Sequence, residues 1–352
     1  MSPFKFILAA TDFSTSATNA VRRAALLAKE HGARLCIVHV VAASRRVPLR
    51  EWLSPARDLD LKVSDARHRL QRLAGELARQ HEVTAQFEVL TGDLIEELHL
   101  ASARADLLVL GQRRRSALAE MVLGSTAQRL VECTRRPVLV VKQVATNAYR
   151  RALVPIDFTP TSDAAAFVAA ALAPDIELQV FHAFESTGET IMRDVDVSES
   201  VIQAYRLRQE AALLARMRRS MARLGLDARK LSFALGRGSP VKATLHQAQS
   251  QNAEVLVATK QRRGRIATSV LGHINSLLAR SHCDMLIVSG WVRDPRQPQA
   301  TAAQRPVARP AHIESARAGH APAVQTSSWM RAQLPAEAFM AGHHGRPGRA
   351  GG

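Results

Sequence analysis

Shifted by 148 residues, the segment from Ala105 to Val141 falls without gaps on Ala253 to Ser289. Asp106-Leu-Leu-Val meets Glu254-Val-Leu-Val, Met121-Val-Leu-Gly124 meets Ser269-Val-Leu-Gly272, and Pro137-Val-Leu-Val-Val meets Met285-Leu-Ile-Val-Ser. The openings of the two halves also agree. Ile7-Leu-Ala-Ala-Thr-Asp12-Phe13-Ser-Thr-Ser resembles Ala152-Leu-Val-Pro-Ile-Asp157-Phe158-Thr-Pro-Thr, and Leu35-Cys-Ile-Val-His39-Val resembles Leu178-Gln-Val-Phe-His182-Ala. A repeat of roughly 140 residues is one domain long. Whatever fold is assigned to one half must therefore serve the other.

Within each half, short apolar runs alternate with stretches of helical periodicity. In the first, strands are expected at Phe4–Ala10, Arg34–Val41, Gln86–Leu90, Asp106–Leu110 and Val138–Val141. Helices are expected over Ser14–His31, Asp58–His81, Asp93–Ala103 and from Ser125. The second half repeats the order, with long helices over Ser162–Ala173 and Ser198–Leu224 and a final strand at Met285–Val288. Strands separated by helices of this length imply βαβ crossovers and a parallel sheet covered on both faces. The loop from Gly111 to Gly124 joins such a strand to a helix with Ser125 near its N-cap. Glycine admits an anion to backbone N–H groups that a Cβ would shield, and a helix N-terminus favours negative charge. The stretch reads as a phosphate cradle.

Composition narrows the class. With 352 residues and 47% apolar content the chain can fill two cores, and 4% aromatics makes those cores Ala, Leu and Val. No run reaches the ~20 apolar residues of a membrane helix. Met1-Ser-Pro-Phe-Lys-Phe runs straight into a strand, unlike a secretory signal. Cys36, Cys133 and Cys283 lack metal-ligand spacing and lie in or beside apolar elements, as inert thiols of a cytoplasmic protein would. A net charge of +17 favours polyanions, whether nucleotide, nucleic acid or anionic lipid. From about Trp291 the periodicity stops, and seven of the fifteen prolines fall in 291–352, which reads as a disordered basic tail.

The strand ending in Asp12-Phe13-Ser14, the strand carrying Val38-His39-Val40, Gly92-Asp93 before a helix, and the glycine loop before Pro137-Val-Leu-Val-Val together resemble the universal stress protein family. The resemblance spans about 290 residues as two copies, 1–145 and 149–290, joined by a short polar link. It implies a doubly wound α/β fold, with a five-stranded parallel sheet of order 3-2-1-4-5 in each copy. It also implies that the last strands of the copies pack together as a pseudo-dimer within one chain.

Some members of the family bind ATP, with or without Mg2+, through a Gly-x2-Gly-x9-Gly-Ser loop. By that resemblance, Asp12 lies near the ribose and Val40 offers backbone groups to the adenine. Gly111 lines the strand end, while Arg113, Gly124, Ser125 and Thr126 hold phosphates. Arg114 stands where the second glycine is expected and brings a guanidinium suited to phosphate oxygens. Asp12 has a second reading, as the N-cap of the helix that follows it. In the second copy Thr259, Arg262 and His273 replace loop residues, so nucleotide is expected in the N-terminal copy only.

Two functions compete on these residues. One is a regulatory stress protein that binds adenine nucleotide. The other is an interaction module whose basic surface or tail contacts nucleic acid, anionic lipid or protein, with further pairing of chains into a homodimer left open. Catalysis has less support. No Gly-x4-Gly-Lys-Ser/Thr loop and no Ser-Gly-Gly-x-Asp-Ser loop occur, and no general base for ATP hydrolysis is visible. His39 and His182 recur at matching strand positions and read as packing residues.

Overall fold

The computed structural model describes residues 3–42, 55–112, 125–260 and 267–289. The insert at 43–54, most of the glycine loop and the tail from 290 lie outside the described residues. In the first copy the order is β1 (Phe6–Ala10), α1 (Thr15–His31), β2 (Arg34–Ala42), α2 (Pro55–His81), β3 (Ala85–Gly92), α3 (Leu94–Ser102), β4 (Leu107–Gly111), α4 (Ser125–Cys133) and β5 (Val138–Val141). The second copy has β6 (Arg151–Pro155), α5 (Pro160–Ala170), β7 (Glu177–Phe184), α6 (Thr187–Asp194), α7 (Glu199–Arg223), β8 (Leu231–Arg237), α8 (Pro240–Ser250), β9 (Val255–Lys260), α9 (Ala267–Arg280) and β10 (Asp284–Ser289). Helix α6 is an addition that the sequence pattern does not announce.

All ten described strands form one sheet, ordered β3-β2-β1-β4-β5-β10-β9-β6-β7-β8. Each half has the expected 3-2-1-4-5 order, and β5 meets β10 antiparallel at the centre. Leu139 faces Leu286 and Val138 faces Ile287, pairs that the repeat exchanges, so a pseudo-two-fold axis passes between them. The apolar strands are continuous because both faces are covered. Leu107 and Val109 of β4 enter the core under α1, α2, α5 and α7. Leu108 and Leu110 enter the core under α3, α4, α8 and α9. No helix among the described residues is long and apolar enough to cross a membrane.

The seam is held by more than its ladder. Asp284, fully buried at the start of β10, accepts hydrogen bonds at Oδ1 from the backbone N–H of Lys142 (2.7 Å) and Gln143 (2.8 Å). Its Oδ2 accepts from the buried Tyr149 hydroxyl at 2.5 Å. The Arg23 guanidinium lies 4.0 Å over the Tyr149 ring and 3.7 Å from the same carboxylate. Arg23 also donates to the Asn147 carbonyl at 2.5 Å. One acid thus fastens the link between copies to the second copy's last strand and, through Arg23, to α1. Burial raises the Asp284 carboxyl above its ordinary range, with the Tyr149 hydroxyl, the backbone donors and Arg23 pulling it back.

Two lysines cross the seam in opposite directions. Lys142 Nζ donates to the carbonyls of Leu278 (2.7 Å) and Ser281 (3.0 Å) and to Ser281 Oγ (2.6 Å), at the carboxyl end of α9. Lys260 Nζ donates to the carbonyls of Val131 (2.8 Å) and Glu132, at the carboxyl end of α4. Each copy thereby places a cation against the unsatisfied carbonyls and negative dipole end of the other copy's helix.

Candidate functional site

The site begins where β1 turns into α1. Thr11 N donates to Val38 O (2.9 Å), which ties the turn to β2. Phe13 then adopts a left-handed backbone, φ 62°, which costs a non-glycine residue ~1–2 kcal/mol. Its ring is clamped from two sides. The His39 ring centroid lies 4.5 Å away, and the Arg69 guanidinium of α2 sits 4.1 Å from the ring centre. His39 Nδ1 lies 2.8 Å from the Thr11 carbonyl, so it carries the proton there and steadies the turn. The second copy repeats the clamp with Phe158 (φ 59°), His182 and Arg216. Both histidines are half-buried and serve packing and backbone hydrogen bonding.

Asp12 is not the helix N-cap. That role belongs to Ser14, whose Oγ accepts from Ala17 N, while Asp12 Oδ1 accepts from Ser14 N at 3.0 Å inside the turn. The carboxylate therefore stays at the carboxyl ends of the strands, beside a cavity of about 270 Å³. Asp12, Val40, Gly111 and Thr126 all line this cavity, with Gln112 and Leu98. Four residues taken from widely separated stretches of sequence meet there. Ser125 opens α4, the helix whose first turn borders the cavity. Arg113, Arg114 and Gly124 lie outside the described residues.

Gly111 has a packing reason to be glycine. A Cβ at that position would stand 2.5 Å from Ser16 O and 2.8 Å from Ala17 N, both backbone atoms of α1. The close approach draws the α1 start over the end of β4 and forms one wall of the cavity. The loop motif assigns this glycine to the ligand, but its nearest neighbour is the protein's own helix.

The second copy fills the matching place. Phe181, fully buried, stands where Val38 forms the cavity floor in the first copy. Across the β2–β3 and β7–β8 pairs, Leu90 faces Val40 and Gly236 faces Ala183. A Cβ on Gly236 would lie 2.4 Å from Phe181 Cζ. The copies have thus exchanged a Val–Leu pair for a Phe–Gly pair on one face of the sheet. Thr259 replaces Gly111, and Lys260 replaces Gln112 and reaches across the seam instead.

A larger cleft, about 1120 Å³, opens at the amino ends of the second copy's strands, among Gln128, Asn252, Asn275 and Arg280. The ends of α8 and α9 that border it are carboxyl ends, whose partial negative charge opposes a phosphate. It does not suit a nucleotide. Among the described residues no group of three or more His, Cys, Asp and Glu could hold a metal ion. Cys36 and Cys283 are buried, with burial pushing each thiol up to about 11, whereas Cys133 is exposed.

The model of the universal stress protein family matches residues 3–142 and again 148–289. A universal stress protein of Mycolicibacterium smegmatis is 27% identical over 287 residues, covering 78% of this chain and 93% of that relative. One from Methanocaldococcus jannaschii is 30% identical over 142 residues, 40% of this chain and 83% of its own length. Among solved structures, a universal stress protein from Archaeoglobus fulgidus superposes with a TM-score of 0.61 at 20% identity, covering 81% of this chain and 98% of that one, a likeness of fold.

Proposed function

The chain belongs to the universal stress protein family, and on that premise we propose that its N-terminal copy binds ATP and that the protein acts by regulation rather than catalysis. The observation that carries this reading is the cavity at the carboxyl ends of β1, β2 and β4, where ligands bind in open α/β sheets. Its floor of Val38, Leu98 and Leu110 suits a flat apolar base, and Asp12 and Thr126 supply polar groups at the rim. The start of α4 offers backbone N–H groups and a positive dipole end to phosphates. A Mg2+ ion would enter with the phosphates, since Mg2+ keeps most of its water and needs few protein ligands. Confinement to the first copy is supported by Phe181 and Thr259 in the second, which add bulk where Val38 and Gly111 stand in the first.

Heating the protein with and without Mg-ATP tests the proposal, because a ligand that binds only the folded state raises the melting temperature. At a hundredfold excess over Kd the stabilisation is about 2.7 kcal/mol. A rise of about 4–5 °C is expected for a cooperative unit of the size that the two copies make. No rise at millimolar Mg-ATP would refute it and favour the interaction-module reading that the net charge of +17 supports.

A further inference from the structure

We infer that the outer face of α7 is a docking surface for the phosphate backbone of a nucleic-acid duplex. The sequence of that helix sets Arg208, Arg216, Arg219 and Arg223 two turns, then one turn, then one turn apart. At 3.6 residues per turn the four share an arc of about 80° and form a row about 22 Å long. Met217 and Met221 turn to the core beneath, and all four arginines are exposed. Arg216 lies 4.0 Å over the Phe158 ring, and Arg223 donates to Ser220 Oγ at 3.5 Å, contacts that leave both charges in place. The acids of α7 are engaged elsewhere, Glu199 with Arg193 and Glu210 with Arg237, and among the described residues no ion pair reaches the row.

The first copy shows that the fold does not require this row. Arg69 of α2 stands over Phe13 as Arg216 stands over Phe158, which sets the register between the two helices. In that register Leu61, Asp65 and Glu76 stand where α7 has Arg208, Ala212 and Arg223. Asp65 lies 3.9 Å from Arg69. The α2 face is thus balanced in charge, while α7 carries arginine without acid. A row of fixed cations recruits a polyanion, because each phosphate it neutralises releases counterions. A helix that lies in a membrane surface needs apolar side chains to enter the lipid. Between Arg208 and Arg223 the arc carries only Ala212 besides the arginines. A duplex instead presents a rigid line of about one charge per 1.7 Å of axis, which a helix can follow along its length. Backbone contacts carry no sequence information, so binding is expected to be indifferent to sequence. The row lies on the α2 and α7 side of the sheet, whereas α3 and α4 border the cavity on the other side, so the inference does not rest on the nucleotide reading.

The test follows binding of a fluorescent duplex DNA of about 20 base pairs to the full chain as salt rises from about 50 to about 200 mM. One variant replaces Arg208, Arg216, Arg219 and Arg223 by Gln. A charge-matched variant replaces Arg67, Arg79, Lys242 and Arg280, exposed cations of α2, α8 and α9, in the same way. Four phosphate contacts contribute about −3.6 to the slope of log K against log salt, a loss of about a hundredfold across that range. The row variant should lose about that much slope, and the charge-matched variant should keep it. Arg208→Gln with Arg219→Gln leaves the contacts of Arg216 and Arg223 intact, so its melting temperature should not move. This pair should lose about half as much slope, and it decides the matter if the fourfold variant fails to fold. Equal loss in the row and charge-matched variants overturns the inference, because diffuse charge then does the binding. An unchanged slope in the row variant overturns it in favour of the basic tail. No binding by the unmodified protein at about 50 mM salt overturns it as well. Tighter binding to phosphatidylglycerol vesicles than to duplex, lost in the row variant, would overturn it and assign the row to lipid.

Discussion

Copying the second half's packing into the first should close the cavity without unfolding the protein. The perturbation is Val38→Phe with Leu90→Gly, which reproduces the pair formed by Phe181 and Gly236. Val38→Phe alone brings the ring against Leu90, as the 2.4 Å approach at Gly236 shows, and overpacking of that kind costs about 1–3 kcal/mol. The glycine relieves the clash at a backbone cost of roughly 0.5–1 kcal/mol relative to alanine. The ring's added burial opposes that cost, at about 25 cal/mol per Å² removed from water. The ligand-free melting temperature should therefore move by only a few degrees. Ligand binding should respond quite differently, because the ring takes up part of a cavity of only about 270 Å³. The shift of about 4–5 °C expected for the unmodified protein in excess Mg-ATP should vanish. Displacement of a fluorescent ATP analogue should fail as well. A double variant that folds and keeps its full Mg-ATP shift would refute the reasoning, because the nucleotide would then bind elsewhere.

Other perturbations address the seam. Asp284→Ala removes the acceptor for Tyr149, Lys142 N and Gln143 N and strands the buried Arg23. A loss of about 3–5 kcal/mol is expected, read as a lower urea midpoint at unchanged slope. Burial pushes the Lys142 ammonium down to about 8 from an ordinary 10.5. Between those values the unfolded chain binds a proton that the folded one has released, so this lysine's contribution to stability rises with pH across the window. The stability difference between the unmodified protein and Lys142→Met should thus grow in favour of the former from pH 8 to 10.5, by roughly 3 kcal/mol at most. A flat difference would show that the ammonium titrates normally. Lys260→Met should speed hydrogen exchange of amides in α4 and leave α5 unaffected, since its donors end on Val131 and Glu132. Equal acceleration in both helices would mean a global loss of stability instead.

Patterns that repeat along the chain are legible in the sequence alone. The 148-residue shift, the apolar runs and the crossover spacing lead to two parallel sheets, and the family resemblance supplies their strand order and the pairing of last strands. The apolar run Gln86–Leu90 understates β3, because its ladder continues past the run into Thr91 and Gly92. Helix α6 leaves no mark on the pattern, since the polar stretch around Gly188 has no apolar stripe long enough to stand out. The site is half legible. Asp12, Val40, Gly111 and Thr126 do converge, but the reason for Gly111 is a backbone contact with α1 that no local pattern encodes. Gln112 carries no signal in sequence, where an amide next to a glycine is ordinary and only its burial sets it apart. Asp284 reads as the polar lead-in to a strand. Its partners Arg23, Lys142 and Tyr149 lie more than a hundred residues away, and only the fold brings them together.

The antiparallel contact of β5 with β10 has a consequence for heredity as well as for packing. In an assembly of identical subunits every substitution appears on both sides of the symmetry axis, so no side can change alone. Two halves encoded in one polypeptide escape that rule, and here they have used the freedom: Val38 against Phe181, Gly111 against Thr259, Gln112 against Lys260. Their association also ceases to depend on protein concentration, because each last strand finds its partner on the same chain. That contact leaves β3 and β8 as the outer strands of the sheet. A second chain joining by strand addition would have to do so at one of those two rims, far from the axis on which the halves themselves meet.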